Sequence, residues 1–156
     1  MADFIVPRTK LVEIYVTSTG IGSQFSMPPN LDDLNNALIC GVAVATETSL
    51  VTAPSQRPNL VVADLALVAL TLAKAPGSDK TFDTLPLYFC DRELNAGHWF
   101  LTKPFVWNPS ASFISITGTG VAADSSVCLV FLYIPFDPAE YRRSKRIIPI
   151  DSDIQL

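Results

Sequence analysis

The amino-acid sequence predicts an all-β fold: a single antiparallel β-sandwich of jelly-roll type with extended terminal arms. Three observations predict it. About seven or eight strand-like runs are separated by loops bearing Gly and Pro, no helical period of useful length occurs, and the run over 126–136 is apolar on both faces. The domain proper is assigned to residues 11–137, with an N-terminal arm over 1–10 and a C-terminal arm over 138–156.

Residues 11–17 alternate, with Val12, Ile14 and Val16 on one side and Glu13, Tyr15 and Thr17 on the other, which is the period of a half-buried strand. Residues 18–30 carry Gly20, Gly22, Pro28 and Pro29 and read as a long loop. Residues 31–36 suit one helical turn, because Asp32 and Asp33 stand where a helix N-terminus welcomes acidic groups. Over 37–52 the residues Ile39, Val42, Val44, Thr46, Thr48 and Val51 favour a strand, with Gly41 marking a bulge.

The run over 60–74 is where helix and strand nearly tie. Ala and Leu are good helix formers and both faces are apolar, yet Ala75-Pro76-Gly77-Ser78-Asp79 resembles a hairpin loop. A strand is therefore expected over 64–74 and another over 81–90, with Pro86 placing the latter at an edge or a bulge. Residues 98–107 and 112–117 read as two strands split by a turn at Trp107-Asn108-Pro109-Ser110, and Gly118-Thr119-Gly120 ends the second. The apolar run Val127, Leu129, Phe131 and Tyr133 alternates with Cys128, Val130, Leu132 and Ile134. Such a strand is expected to lie centrally, covered on both sides.

With 156 residues the chain has the usual size of one domain. It is 49% hydrophobic and only 17% charged, with a mean hydropathy of +0.32, more apolar material than one domain of this size readily hides. The excess points to contacts between subunits, and the competing reading is a very apolar monomer. A net charge of -4 argues against a domain whose whole surface grips nucleic acid. Cys40, Cys90 and Cys128 sit in or beside apolar runs without CxxC spacing, so they read as buried free thiols in a reducing compartment. Phe4-Ile5-Val6 is stopped at once by Pro7, so no secretory signal is expected. The longest apolar stretch, 60–73, contains Asp64 and falls short of the roughly 20 residues a membrane-spanning helix needs.

Catalytic chemistry finds little to work with. A Ser or Cys triad needs a base, and His98 is the sole imidazole. One His and three scattered Cys lack the spacing of a zinc site. The carboxylate pairs Asp32/Asp33 and Asp91/Glu93 offer acid–base chemistry on sugars in principle, but acidic residues in loops are normally solvated. No GxxxxGK[ST] or GxGxxG motif cradles a phosphate. The expectation is a protein with no catalytic residues, metal, cofactor or small-molecule substrate. Trp99, Phe100, Phe105, Trp107 and Phe113 supply the main rival: Trp99 and Trp107 as a stacking platform in a carbohydrate-binding β-sandwich module for glycan or receptor binding. Core packing explains the same aromatics more simply.

The C-terminal arm carries the one signal with a binding mechanism. Arg142, Arg143, Lys145 and Arg146 gather four cations within five positions beside Ile147, Ile148 and Ile150. The cations suit genome phosphates or anionic lipid head groups, while the isoleucines suit an apolar groove or an added strand on a neighbouring subunit. A solvated tail is the plainer alternative.

As a whole, the order of segments resembles the single jelly-roll capsid and penton (vertex) proteins of tailless icosahedral bacteriophages. The resemblance rests on Asn36-Ala37-Leu38-Ile39-Cys40-Gly41-Val42, the run over 64–72, Leu85-Pro86-Leu87, Ser112-Phe113-Ile114 and the run over 127–133, segments of pattern rather than of signature motif that span about two-thirds of the chain. It implies a virion structural protein, a major, penton or minor capsid subunit made in the host cytoplasm. Its partners are other capsid subunits, in a homo-oligomer tied by terminal arms. No catalytic residues come with it.

Overall fold

The structure is a computed structural model that describes residues 7–29, 31, 34, 37–49, 52–75, 77–92, 97 and 99–135. Among the described residues seven strands make one antiparallel system: β1 (Arg8–Val16), β2 (Gln24–Ser26), β3 (Leu38–Ala45), β4 (Val68–Lys74), β5 (Asp79–Pro86), β6 (Phe100–Ile116) and β7 (Ser125–Ile134). The fold is all-β, as expected.

β6 organises the rest. Its first limb, 100–106, pairs with β3, and its second limb, 107–116, lies between β2 and β4. The sheet consequently divides into two four-membered halves, β1-β7-β3-first limb and β2-second limb-β4-β5. The halves face each other over one core. Trp107 packs on Phe131 with ring centroids 4.8 Å apart, and Phe82 meets Phe100 and Phe105 edge-on at 5.6 and 6.4 Å. Val12, Ile14 and Val16 of β1 point into this core together with Val127, Leu129, Phe131 and Tyr133 of β7. β7 lies centrally in its half, as its sequence predicts, with β1 on one flank and β3 on the other, but only its inner face is wholly covered: Val130 and Leu132 on the outer face are half-buried.

The expected turn at Asn108-Pro109-Ser110 is corrected by the continuity of β6. Two steps along β4, from Thr71 to Ala73, oppose five along β6, from Phe113 to Asn108, so the turn residues form a wide bulge that bends one strand instead of separating two. Ser112 holds this bend from inside. Its Oγ accepts the backbone N–H of Ala73 at 3.0 Å and the Trp107 indole N–H at 2.9 Å, and donates to the Asn108 carbonyl at 2.8 Å.

Other elements follow the sequence with shifted limits. β1 begins at Arg8, three residues before the expected Leu11. The segment 18–30 is mainly loop but contributes the short β2. Of the expected turn over 31–36 only Leu31 and Leu34 are described, joined by a 2.9 Å bond from the Leu34 N–H to the Leu31 carbonyl. β3 stops at Ala45, because Thr46 and Ser49 close a turn on one another. The bulge predicted at Gly41 is present: Cys40 is the surplus residue against β7. A Cβ on Gly41 would lie 3.3 Å from Leu101 Cδ2 and 3.4 Å from Trp99 Cβ, which explains why the position has no side chain.

The ambiguous run divides between its two readings. Val62–Leu67 forms a 3-10 turn, correcting the strand expected from Asp64, and Val68–Lys74 is β4. Likewise the strand expected over 81–90 ends at Pro86, and Leu87–Cys90 is a 3-10 turn. β5 is an edge strand, which suits Pro86.

Candidate functional site

Of the site residues proposed from sequence only Trp99 and Trp107, and of the weighed carboxylates only Asp91, lie among the described residues. Trp107 is only 1% exposed, with its indole N–H on Ser112 and its ring on Phe131. It presents no face to a sugar, so it is withdrawn from the stacking pair. Trp99 is half-buried just before β6, with the Arg92 guanidinium 5.4 Å from its ring centroid. That guanidinium also donates to the Gly97 carbonyl at 2.6 and 3.1 Å, which holds it in place over the indole. One partly covered Trp is not a platform.

Asp91 is buried beside Val44, while Glu93, Asp32, Asp33 and His98 lie outside the described residues. Among the described residues no three His, Cys, Asp or Glu side chains gather as a metal site. The three Cys are free, and burial pushes the thiols of Cys40 and Cys128 up to about 11 and that of Cys90 up to about 12. Thiols so raised are poor nucleophiles at neutral pH. The cations Arg142, Arg143, Lys145 and Arg146 and the isoleucines Ile147, Ile148 and Ile150 also lie outside the described residues.

The most informative surface is the outer face of the β1-β7-β3 half, which sequence reasoning did not single out. Because Val12 and its β7 neighbours face the core, the alternate residues face outwards. The register aligns them in rows: Leu11, Val130 and Ala43 in one, and Thr9, Leu132, Gly41 and Leu101 in the next. Leu101 is 67% exposed. The double apolar alternation of β7 was the available signal, since the outward set Cys128, Val130, Leu132 and Ile134 is as apolar as the inward one.

One end of this face is covered by the segment 52–60. Ala53 packs with Ala45 and Cys128, and Ser55 Oγ donates to Glu13 Oε2 at 2.9 Å. Arg57 stacks 3.8 Å from the Tyr15 ring centroid, and the Tyr15 hydroxyl donates to Asp124. That bond to the Asp124 carboxylate raises the Tyr15 pKa above its ordinary value. Leu11, in the row of Val130, packs on this same cluster and Ala43 is buried, so the more open part of the face is the row of Leu132 and Leu101.

Comparison with known protein families, with curated proteins and with solved structures finds no match.

Proposed function

We propose that this chain is a structural subunit of a virion, a jelly-roll capsid, penton or minor capsid protein that works by packing against other subunits. The observation that carries the reading is the strand order. Counting the two limbs of β6 separately gives eight strands, and the order β1-β7-β3-first limb opposite β2-second limb-β4-β5 supports a jelly-roll reading. The rows of apolar residues outside the first half add a surface suited to association, and the composition supplies more apolar residues than the core needs. Other capsid subunits are the partners in this reading. The basic, isoleucine-bearing arm then anchors the subunit to a neighbour, to anionic lipid or to the genome, and the protein resides in the virion after synthesis in the host cytoplasm.

Light scattering and electron microscopy of the purified full chain, at low and high salt, test the proposal. Rings or closed shells support it, and a variant with Arg142, Arg143, Lys145 and Arg146 all changed to Gln loses the salt dependence of assembly if the arm acts through phosphate. A chain that remains a monomer under every assembly condition refutes it.

A further inference from the structure

β5 is the outer strand of its half, and among the described residues no strand is bonded to its open side. Its pairing with β4 breaks register twice. Lys80 lies opposite Ala73 and Phe82 opposite Leu72, so Thr81 has no counterpart; Leu85 lies opposite Leu70, so Asp83 and Thr84 together oppose Thr71. Thr84 stands in the left-handed region at φ 58°, where a β-branched residue is an outlier that costs energy. Its N–H donates to Thr71 Oγ1 at 3.2 Å.

The core does not require this extra residue. Leu70 and Leu72 belong to the core, and Phe82 and Leu85 pack against it. With one residue fewer between them, Phe82 and Leu85 would stand two positions apart, as Leu70 and Leu72 do. Ordinary strand alternation would then turn both inward in unbroken register. The strained backbone therefore serves neither the packing of β5 nor this part of its pairing with β4. What it changes is the open side. A bulge bends and twists the strand and disrupts its ladder, here near the middle of β5. Charge gathers at the same place: Lys80 and Asp83, both exposed, pair at 3.5 Å, and the Thr84 hydroxyl donates to Asp83 Oδ1 at 3.2 Å.

We propose that the Asp83-Thr84 bulge is a guard, held by the Thr71 hydroxyl, that closes the β5 edge to the addition of a further strand. A regular open edge is a template for pairing with another chain, and bulges and charged side chains prevent that pairing. The guard goes beyond the reading of the chain as a virion subunit and holds for a monomer and an oligomer alike.

Deletion of Thr84 from the full chain tests it, because Asp83 alone then faces Thr71 and this stretch of β5 becomes regular. Deletion of Asp83 reaches the same register through the other residue. Each variant is compared with the unchanged chain, whatever the oligomeric state of the latter. The expected result is a protein that still unfolds cooperatively in urea but grows by light scattering into open-ended aggregates that bind thioflavin T. In those aggregates the amides of 79–86 gain protection from hydrogen exchange. Thr84→Gly keeps the bulge and relieves its backbone, so it stays free of aggregates. Its folding equilibrium constant is expected to exceed that of Thr84→Ala about fivefold. Folded deletion variants that associate no more than the unchanged chain overturn the guard, as does association that leaves 79–86 without added protection. Failure of both deletions to fold also overturns it, because the extra residue would then belong to the fold itself. Thr84→Ala as stable as Thr84→Gly overturns the strained backbone on which the proposal stands.

Discussion

Ser112→Ala removes the hydroxyl that holds the bend of β6, and the structure sets the size of the effect. The hydroxyl uses its full capacity, accepting from the Ala73 backbone and the Trp107 indole and donating to the Asn108 carbonyl. The site is buried, so water has little access to replace it. Losing it leaves two donors and one acceptor short of a partner, at about 1–3 kcal/mol for each group left fully unsatisfied. Partial relaxation brings the expected total to about 4 kcal/mol, a large share of the roughly 5–15 kcal/mol that holds a domain folded. With a urea slope of about 2 kcal/mol/M, the midpoint of denaturation falls by about 2 M. Ser110→Ala, which loses only an exposed bond to the Asn108 side chain, is the control and shifts stability by less than about 0.5 kcal/mol. A loss for Ser112→Ala below about 1 kcal/mol would refute the idea that this hydroxyl holds the bulge.

Further outcomes follow from the packing and the thiols. Gly41→Val places a branched side chain against Leu101, Trp99 and the Phe100 carbonyl, and is expected to lower stability by about 2 kcal/mol in urea denaturation, with Gly41→Ala milder. The Cys90 thiol is raised by burial from 9.0 to about 12, so the unfolded chain ionises first as pH rises. Its contribution to stability is whole below pH 9.0 and declines toward pH 12, and denaturation midpoints above pH 9 should fall less steeply in Cys90→Ala than in the unchanged chain. With Trp99→Phe, the remaining Trp107 emission should be blue-shifted and resistant to iodide, whereas Trp107→Phe leaves emission that iodide quenches.

Much of this fold is legible in local patterns. Alternation over 11–17 places β1 and its buried face, and branched residues with a glycine place β3 and its bulge, because both signals arise from neighbours in the chain. The continuity of β6 is not legible. Asn108-Pro109-Ser110 has the composition of a turn, and what turns it into a bulge is Ser112 bonding to Ala73 on another strand. The 3-10 turn over Val62–Leu67 fails for a related reason: Asp64 is buried near the Ala122 N–H, 3.4 Å from its carboxylate, a contact no local window contains. For the site, the simpler reading of Trp107 as core packing holds, while its hydrogen bond to Ser112 depends on the bend of β6 and has no local signal. The outer apolar face became visible only when β1, β7 and β3 were aligned.

The pairing of β1 with β7 has a consequence for the order of events during synthesis. More than a hundred residues separate Val16 from Ser125, yet these two lie opposite each other. At roughly 5–20 residues per second, the first strand leaves the ribosome many seconds before its partner exists. Throughout that interval both of its edges are bare, and nothing supplied by the chain itself completes its ladder. β7 therefore acts as a timer: this half of the sheet closes only after residues 125–134 have emerged, and any pairing of β1 with another strand before then would compete with folding.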